Sequence, residues 1–101
     1  MYIEIHTTVK DMEEARKIAD TLVERKLAAC VNMYPVTSVY RWEGKIEEEG
    51  EIALSIKSIT EKFEDISRTI RTLHSYDLPA ITMQEIKGDR NYLKWINDST
   101  S

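Results

Sequence analysis

Two side chains in this 101-residue sequence have the chemistry to bind a metal ion or act as a nucleophile, Cys30 and His74. A thiolate is a soft ligand for copper or zinc, and an imidazole binds metals or moves protons near neutral pH. Both have a structural alternative. A cysteine between Ala29 and Val31 in an apolar segment is more often a small core residue, and a histidine can simply end a helix. We treat Cys30 and His74 as candidate metal ligands.

A second group of candidates combines two aromatic residues with a charged pair. Tyr40 and Trp42 are two positions apart, so they share one face of a predicted strand. The helices of a small domain do not reach that far, and aromatic side chains outside a core are commonly buried at interfaces. Lys57 and Glu61 lie where a strand gives way to a helix, and they form either a local ion pair or part of a cleft.

A run of acidic residues occupies positions 47–49 and continues at Glu51. Carboxylates attract cations, but tight binding of a divalent metal needs converging ligands, and one hairpin arm does not supply them. A solvated charged face is therefore the favoured interpretation of this run.

No catalytic motif accompanies these candidates. The chain lacks a glycine-rich phosphate loop, an HExxH sequence, a CxxC pair and a nucleophile elbow. It has three glycines in all, too few for a backbone cradle around phosphate. We expect no enzyme, and catalysis by Cys30 or His74 is the weakest function considered.

Composition is typical of one small cytoplasmic domain spanning 1–101, with a formal charge of −4 and a pI of about 5.2. Proteins that bind nucleic-acid phosphates carry basic surfaces, and no apolar run approaches the roughly 20 residues that span a bilayer. The N-terminus has no signal-peptide pattern, which favours the cytoplasm. Charged residues make up 32%, led by Glu and Lys, which favours a thermostable protein.

Periodicity predicts the first elements that position these residues. Positions 2–9 alternate as a half-buried strand. Asp11 with Glu14 three residues later is a capping-box arrangement, and apolar residues follow at helical spacing. Positions 27–34 form a short apolar run, which predicts a buried strand, and Pro35 predicts a bend or a bulge after it.

A long hairpin is predicted in the middle of the chain. Strand character resumes over 36–43, the turn is Gly44-Lys45, and the return strand reaches Ser58 after an interruption at Gly50. Each arm has about a dozen residues, or roughly 40 Å, where five or six residues are usual.

The last third of the sequence predicts a helix, a strand and a final helix. Thr60 caps the second helix, and the loop 74–79 follows it. Positions 80–87 form a fourth strand, Gly88-Asp89 leads into a C-terminal helix, and the polar tail 97–101 is expected to fray.

The resulting order, β-α-β-β-α-β plus one helix, predicts an α+β fold. Right-handed crossovers close it as the ferredoxin-like split βαβ sandwich, with both main helices on one face of an antiparallel sheet. The other face and the long hairpin edges stay uncovered, and bare edges invite pairing with another chain. We therefore expect the protein to self-associate.

Several segments, in order along nearly the whole chain, together carry a family resemblance. They are Leu27–Asn32, Ser38–Gly44 with a Tyr-x-Trp-x-Gly core, Lys57 with Glu61, His74–Pro79, and Tyr92-Leu93-x-Trp95. This set resembles the CutA divalent-cation-tolerance family. The chain departs from the family's His-Pro-Tyr-Glu-x-Pro loop at Ser75 and Asp77, and the aspartate is about one methylene shorter than glutamate.

The resemblance implies a homotrimer similar in architecture to the PII signalling proteins, in which the hairpins of neighbouring subunits complete one another's sheets. It also implies tolerance to copper (Cu²⁺) or other divalent cations. An inter-subunit cleft would hold Cys30, Tyr40, Trp42, Lys57, Glu61, His74, Tyr76 and Asp77.

Fold does not determine function, so two readings remain besides the enzyme. The leading one is a trimeric protein that binds divalent metal ions, with Cys30 and His74 as the ligands. The alternative is a PII-like signalling or scaffold trimer that binds a protein or a small ligand at the cleft.

Overall fold

The computed structural model describes all 101 residues and contains one four-stranded antiparallel sheet, with strand order β2-β3-β1-β4. A 3-10 turn at Thr60–Lys62 precedes the second helix. The elements in chain order are β1 Tyr2–Val9, α1 Met12–Glu24, β2 Cys30–Trp42, β3 Lys45–Ile59, α2 Phe63–Leu73, β4 Thr82–Glu85 and α3 Arg90–Ser99. This topology confirms the predicted ferredoxin-like α+β arrangement.

The core lies between one face of the sheet and the two helices α1 and α2. β1 alternates as predicted, since Ile3, Ile5 and Val9 are buried while His6 is exposed. Leu22 from α1 and Ile66 from α2 are fully buried against that face. The strand has apolar residues at every second position and the helices have them about every 3.6 positions. Each element therefore has one apolar face, and these faces pack together. None of the helices has both the length and the apolar content of a membrane-spanning helix.

The cap of α1 forms as predicted, but only half of the capping box does. The backbone N–H of Glu14 donates to Oδ1 of Asp11 at 2.9 Å. The Glu14 carboxylate turns toward His74 instead of returning to the cap. α1 ends at Glu24, and Lys26 adopts the left-handed conformation at φ 57°. The prediction of one strand over 27–34 is therefore wrong, because β2 begins only at Cys30.

The hairpin of β2 and β3 is as long as predicted, with arms of 13 and 15 residues. Its register is constant from end to end, and Pro35 pairs opposite Ile52 without a bulge. The predicted bulge at Pro35 and the predicted interruption at Gly50 are both wrong, because the pairing continues through both residues. Proline is tolerated at position 35 because β2 is an edge strand, where a backbone N–H that points away from β3 has no strand to pair with. The turn is Glu43-Gly44, one residue earlier than predicted, with both φ angles positive.

Three terminal details also differ from the expectations. The Thr60 hydroxyl donates to the carbonyl of Met1 at 3.2 Å, so it joins the chain terminus to the turn and does not cap α2. The fourth strand is confined to Thr82–Glu85. The C-terminal tail is not frayed, because Thr100 is 1% exposed and its hydroxyl donates to the carbonyl of Ile96.

The predicted uncovered face of the sheet is partly covered by α3. This helix packs against β1 and β3 and fully buries Ile96. Tyr92 lies beside Cys30, which pairs with Lys57 on the face opposite the core. α3 therefore covers the part of the second face near Cys30 and leaves the part near the hairpin turn open.

Candidate functional site

A groove lies between the hairpin and the loop that follows α2, with a volume of about 820 Å³. The sequence-predicted residues Tyr40, Trp42, Tyr76 and Asp77 all line it. The register explains the grouping on the hairpin side, because Tyr40 pairs with Glu47 and directly paired residues project from the same face.

The groove is acidic and aromatic. Its lining contains one guanidinium, that of Arg41, and four carboxylates. The carboxylates are those of Glu47, Glu49, Glu51 and Asp77. Trp42 is 46% exposed. The acidic run first interpreted as a solvated face thus forms part of a concave surface, a result that required the strand register to be known.

Two phenols in the groove are affected by its carboxylates, and one of them is hydrogen-bonded to a carboxylate. The hydroxyl of Tyr76 donates to Oε2 of Glu51 at 2.9 Å. Burial, and then the hydrogen bond to Glu51, raise the pKa of Tyr76 well above its ordinary value. Partial burial and the Glu49 carboxylate raise the pKa of Tyr40 in the same direction. Both phenols therefore stay neutral at neutral pH.

His74 lies at the end of α2 with its side chain fully buried. Its Nε2 is 2.8 Å from the carbonyl oxygen of Thr8, and the backbone N–H of Tyr76 donates to its Nδ1 at 3.1 Å. Both ring nitrogens are therefore occupied. A metal ion could bind either one only by displacing a hydrogen bond, so the geometry within one chain does not support the predicted ligand role.

Glu14 approaches the same ring from α1. Its Oε2 is 3.8 Å from Nδ1 of His74, and this buried oxygen has no hydrogen-bond partner. The sequence pattern predicted only a capping role for Glu14. The only sequence signal for Glu14 was its three-residue spacing from Asp11, and that spacing indicated capping and not a contact with His74.

Lys57 belongs to a separate polar network on the second face of the sheet. Its Nζ donates to Asn32 at 3.0 Å and to Ser55 at 2.9 Å, and it lies 3.5 Å from Glu4. The Ser55 hydroxyl donates to Glu4, and this bond is the main cause that lowers the Glu4 pKa. Alternation along β1 and β3 was the only sequence signal for this network.

Of the two alternatives for Lys57 and Glu61, a local ion pair or part of a cleft, the ion pair does not form. Lys57 pairs with Glu4, and Glu61 lies exposed in the 3-10 turn. A four-residue spacing brings side chains together only on a helix, and the chain is still extended at Lys57.

Cys30 and His74 are not brought together within one chain. Cys30 pairs with Lys57, whereas His74 contacts Thr8, which pairs with Ala53. Lys57 and Ala53 are four residues apart on β3, or roughly 13 Å. Cys30 is half-buried, and its Sγ is 3.9 Å from Oδ1 of Asn32. No three Cys, His, Asp or Glu side chains are grouped so that they could hold a metal ion.

The chain is similar to known proteins along nearly its whole length. The family model of the CutA1 divalent ion tolerance protein matches residues 3–99. The chain is 42% identical over 96 residues to the divalent-cation tolerance protein CutA of Archaeoglobus fulgidus, covering 94% of each. It is 43% identical over 95 residues to that of Thermus thermophilus, covering 92% of each.

Solved structures agree with these matches. The structure of the Archaeoglobus fulgidus protein, described as periplasmic, superposes with a TM-score of 0.98 at 40% identity. The Thermus thermophilus structure gives 0.96 at 41% identity, and both alignments cover all of each chain. The family model and the relatives are named for tolerance of divalent ions. This chain belongs to the CutA1 divalent ion tolerance protein family.

Proposed function

We propose that this protein is a homotrimer that takes part in divalent-cation tolerance by binding copper or another divalent ion in a cleft shared between subunits. The observation that carries the proposal is the separation of the cleft residues along one hairpin. Cys30 and Tyr40 are ten residues apart on β2, or roughly 33 Å, in a molecule 45 Å long. One copy cannot bring them together, whereas a neighbouring copy can.

The hairpin itself supports association. β1 stops at Val9, opposite Ile52, so the outer part of the hairpin projects beyond the other two strands. Val39 and Ile46 are each 64% exposed on this projection. β2 is also an edge strand along its whole length. Apolar side chains on an unpaired edge are normally covered by another chain.

The chemistry of the two ends of the hairpin supports a cation. The groove end carries carboxylates such as Glu47 and Glu49, which attract positive ions. The other end carries the Cys30 thiol, a soft ligand suited to copper. Within one chain these groups do not converge. The proposed site is therefore complete only when the groove of one subunit meets the Cys30 end of its neighbour.

Light scattering on a sizing column tests the assembly. The wild type should have about three times the mass of the 11.8 kDa chain. Ile46→Lys should shift it toward monomer, because a charge replaces an apolar side chain on the projecting hairpin. Val23→Lys is the matched control, since Val23 is 45% exposed on α1, away from the hairpin. A stable wild-type monomer would refute the trimer.

Copper titration of the trimer tests the site. Cys30→Ala and Glu49→Gln should each weaken binding, whereas Glu24→Gln at the exposed end of α1 should not. Each variant should first be shown to remain a trimer, so that a lost interface is not mistaken for a lost ligand. Unchanged affinity in both cleft variants would remove the cation from this cleft.

The aromatic lining of the groove favours a second candidate, a signalling or scaffold trimer that binds a small ligand or a protein there. Tyr40 and Trp42 offer flat apolar surfaces that a metal ion does not need. In that case Trp42→Ala should abolish the binding of the partner while copper affinity stays the same as in wild type. The reverse result would favour the cation.

We also propose that the protein acts in the cytoplasm, on the basis of its composition and its single cysteine. The Archaeoglobus fulgidus relative is described as periplasmic, which makes fractionation the necessary experiment. Cells of the source organism should retain the protein with a cytoplasmic marker. Co-release with a marker of the cell envelope would contradict this assignment.

A further inference from the structure

We propose that His74 is a positioning residue that latches one wall of the groove, and that it is not a cation ligand. The wall is the segment 75–80, which follows α2 and carries Tyr76 and Asp77 into the groove. The proposal concerns the shape of the groove, so it holds whatever the groove binds.

The protonation of the ring follows from its two partners. A carbonyl oxygen only accepts, so Nε2 of His74 carries the hydrogen that it donates to Thr8 at 2.8 Å. A backbone N–H only donates, so Nδ1 carries the lone pair that accepts from Tyr76 at 3.1 Å. The ring is therefore neutral, and neither nitrogen has a free lone pair.

A buried oxygen of Glu14 that has no hydrogen-bond partner approaches the same ring from α1. It lies 3.8 Å from Nδ1 of His74, which is beyond hydrogen-bond distance. Because Nδ1 already accepts from Tyr76, it has no hydrogen to offer. The carboxylate oxygen thus stays buried without a hydrogen bond.

The two bonds of His74 connect three parts of the fold. They join the end of β1, at Thr8, to the end of α2 and to the turn at Tyr76. The rings of His74 and Tyr76 lie 4.8 Å apart, and the Tyr76 hydroxyl continues to Glu51 on β3. Loss of the bond to Nδ1 would therefore release Tyr76 and the wall with it, and a metal ion on Nδ1 would break the same bond.

Imidazole ¹⁵N shifts of the wild type test the ring state without any substitution. At pH 7, His74 should be the neutral form with hydrogen on Nε2, and its signals can be assigned by their persistence in His6→Gln. The exposed His6 serves as the reference. Hydrogen on Nδ1 of His74 would overturn the proposal.

Two substitutions, each of which keeps only one of the two hydrogen bonds of His74, test the latch itself. In His74→Asn, the amide oxygen can still accept from the N–H two residues on, as in an Asx turn, so the Tyr76 amide should keep its protection from hydrogen exchange. In His74→Gln, the longer side chain can reach Thr8 but does not replace Nδ1, so protection should fall several-fold, up to about tenfold. Equal protection in both variants and wild type would overturn the latch.

Copper titration of the same two variants separates a latch from a ligand. His74→Asn, with the wall still protected, should bind copper as tightly as wild type. Loss of copper binding in that variant, with the Tyr76 amide still protected, would make His74 a ligand and refute the proposal. If copper does not bind wild type at all, the proposed function fails while the exchange result still decides the latch.

Discussion

The Tyr76 hydroxyl donates a 2.9 Å hydrogen bond to Oε2 of Glu51, and this contact joins the loop after α2 to the base of the hairpin. Glu51 is only 9% exposed. A carboxylate with so little access to water needs a donor from the protein, and here that donor comes from a residue 25 positions away. The contact holds one wall of the groove against the other.

Removal of this hydroxyl should destabilise the fold at neutral pH. We expect Tyr76→Phe to lower the free energy of unfolding by about 1–3 kcal/mol, because Glu51 is left buried without its donor. Urea unfolding at one fixed protein concentration measures this. Tyr34→Phe is the matched control, since Tyr34 is 42% exposed and should change little.

The same substitution should alter the alkaline pH dependence. The folded-state pKa of Tyr76 is raised, so its contribution to stability is present below the unfolded pKa of about 10 and is lost as the pH rises above it. The stability deficit of Tyr76→Phe relative to wild type should therefore shrink above pH 10. A constant difference across that range would contradict the raised pKa.

Glu4→Gln should remove stability at neutral pH and little at acid pH. The Ser55 hydroxyl, followed by Gln84 and Lys57, lowers the Glu4 pKa below 4.5. This contribution is present above that value and is lost as the pH falls through the lowered pKa. We expect a loss of about 1 kcal/mol at pH 7, modest because the side chain is 28% exposed.

Unfolding of Glu4→Gln at pH 7 and near pH 3 measures the two limits, with Glu24→Gln as the exposed control. Equal losses at both pH values would show that the Ser55 bond does not depend on the charge of Glu4.

Two glycines in the hairpin should respond differently to alanine. Gly44→Ala should cost about 1 kcal/mol, because Gly44 has φ 80° and alanine is disfavoured there although nothing lies within 4 Å of the added Cβ. Gly50→Ala has the same open space without a positive φ, and it should be neutral or slightly stabilising. Equal effects would show that the turn conformation is not the cause.

Asp11→Ala should cost about 1 kcal/mol through loss of the cap on the Glu14 N–H. Asp20→Ala removes an equally charged, exposed residue inside α1 and should be neutral or slightly stabilising. Thermal unfolding of both variants provides the comparison. A loss of stability in Asp20→Ala that matches the loss in Asp11→Ala would assign the effect to net charge and not to capping.

Some elements were predictable because their signals are local. The strand 2–9, the Asp11 cap and the long hairpin follow from alternation, a side-chain acceptor at a helix start and two long β-rich runs. The prediction of a bulge at Pro35 was wrong because Pro35 lies on an edge strand. Which strand is at the edge depends on the strand order of the sheet. The prediction of a frayed tail was wrong because Thr100 is buried where α3 packs on the sheet. The polar composition of the tail does not reveal this packing.

The sequence by itself determined the ferredoxin-like order of elements, the length of the hairpin and the residue types at the groove, because periodicity and turn chemistry act over a few residues. Only the tertiary structure decided which of those residues meet. It placed Tyr76 on Glu51, set His74 between Thr8 and Tyr76, and kept Cys30 far from both. Such contacts depend on strand register and loop path, which join residues distant in sequence and leave no periodic signal.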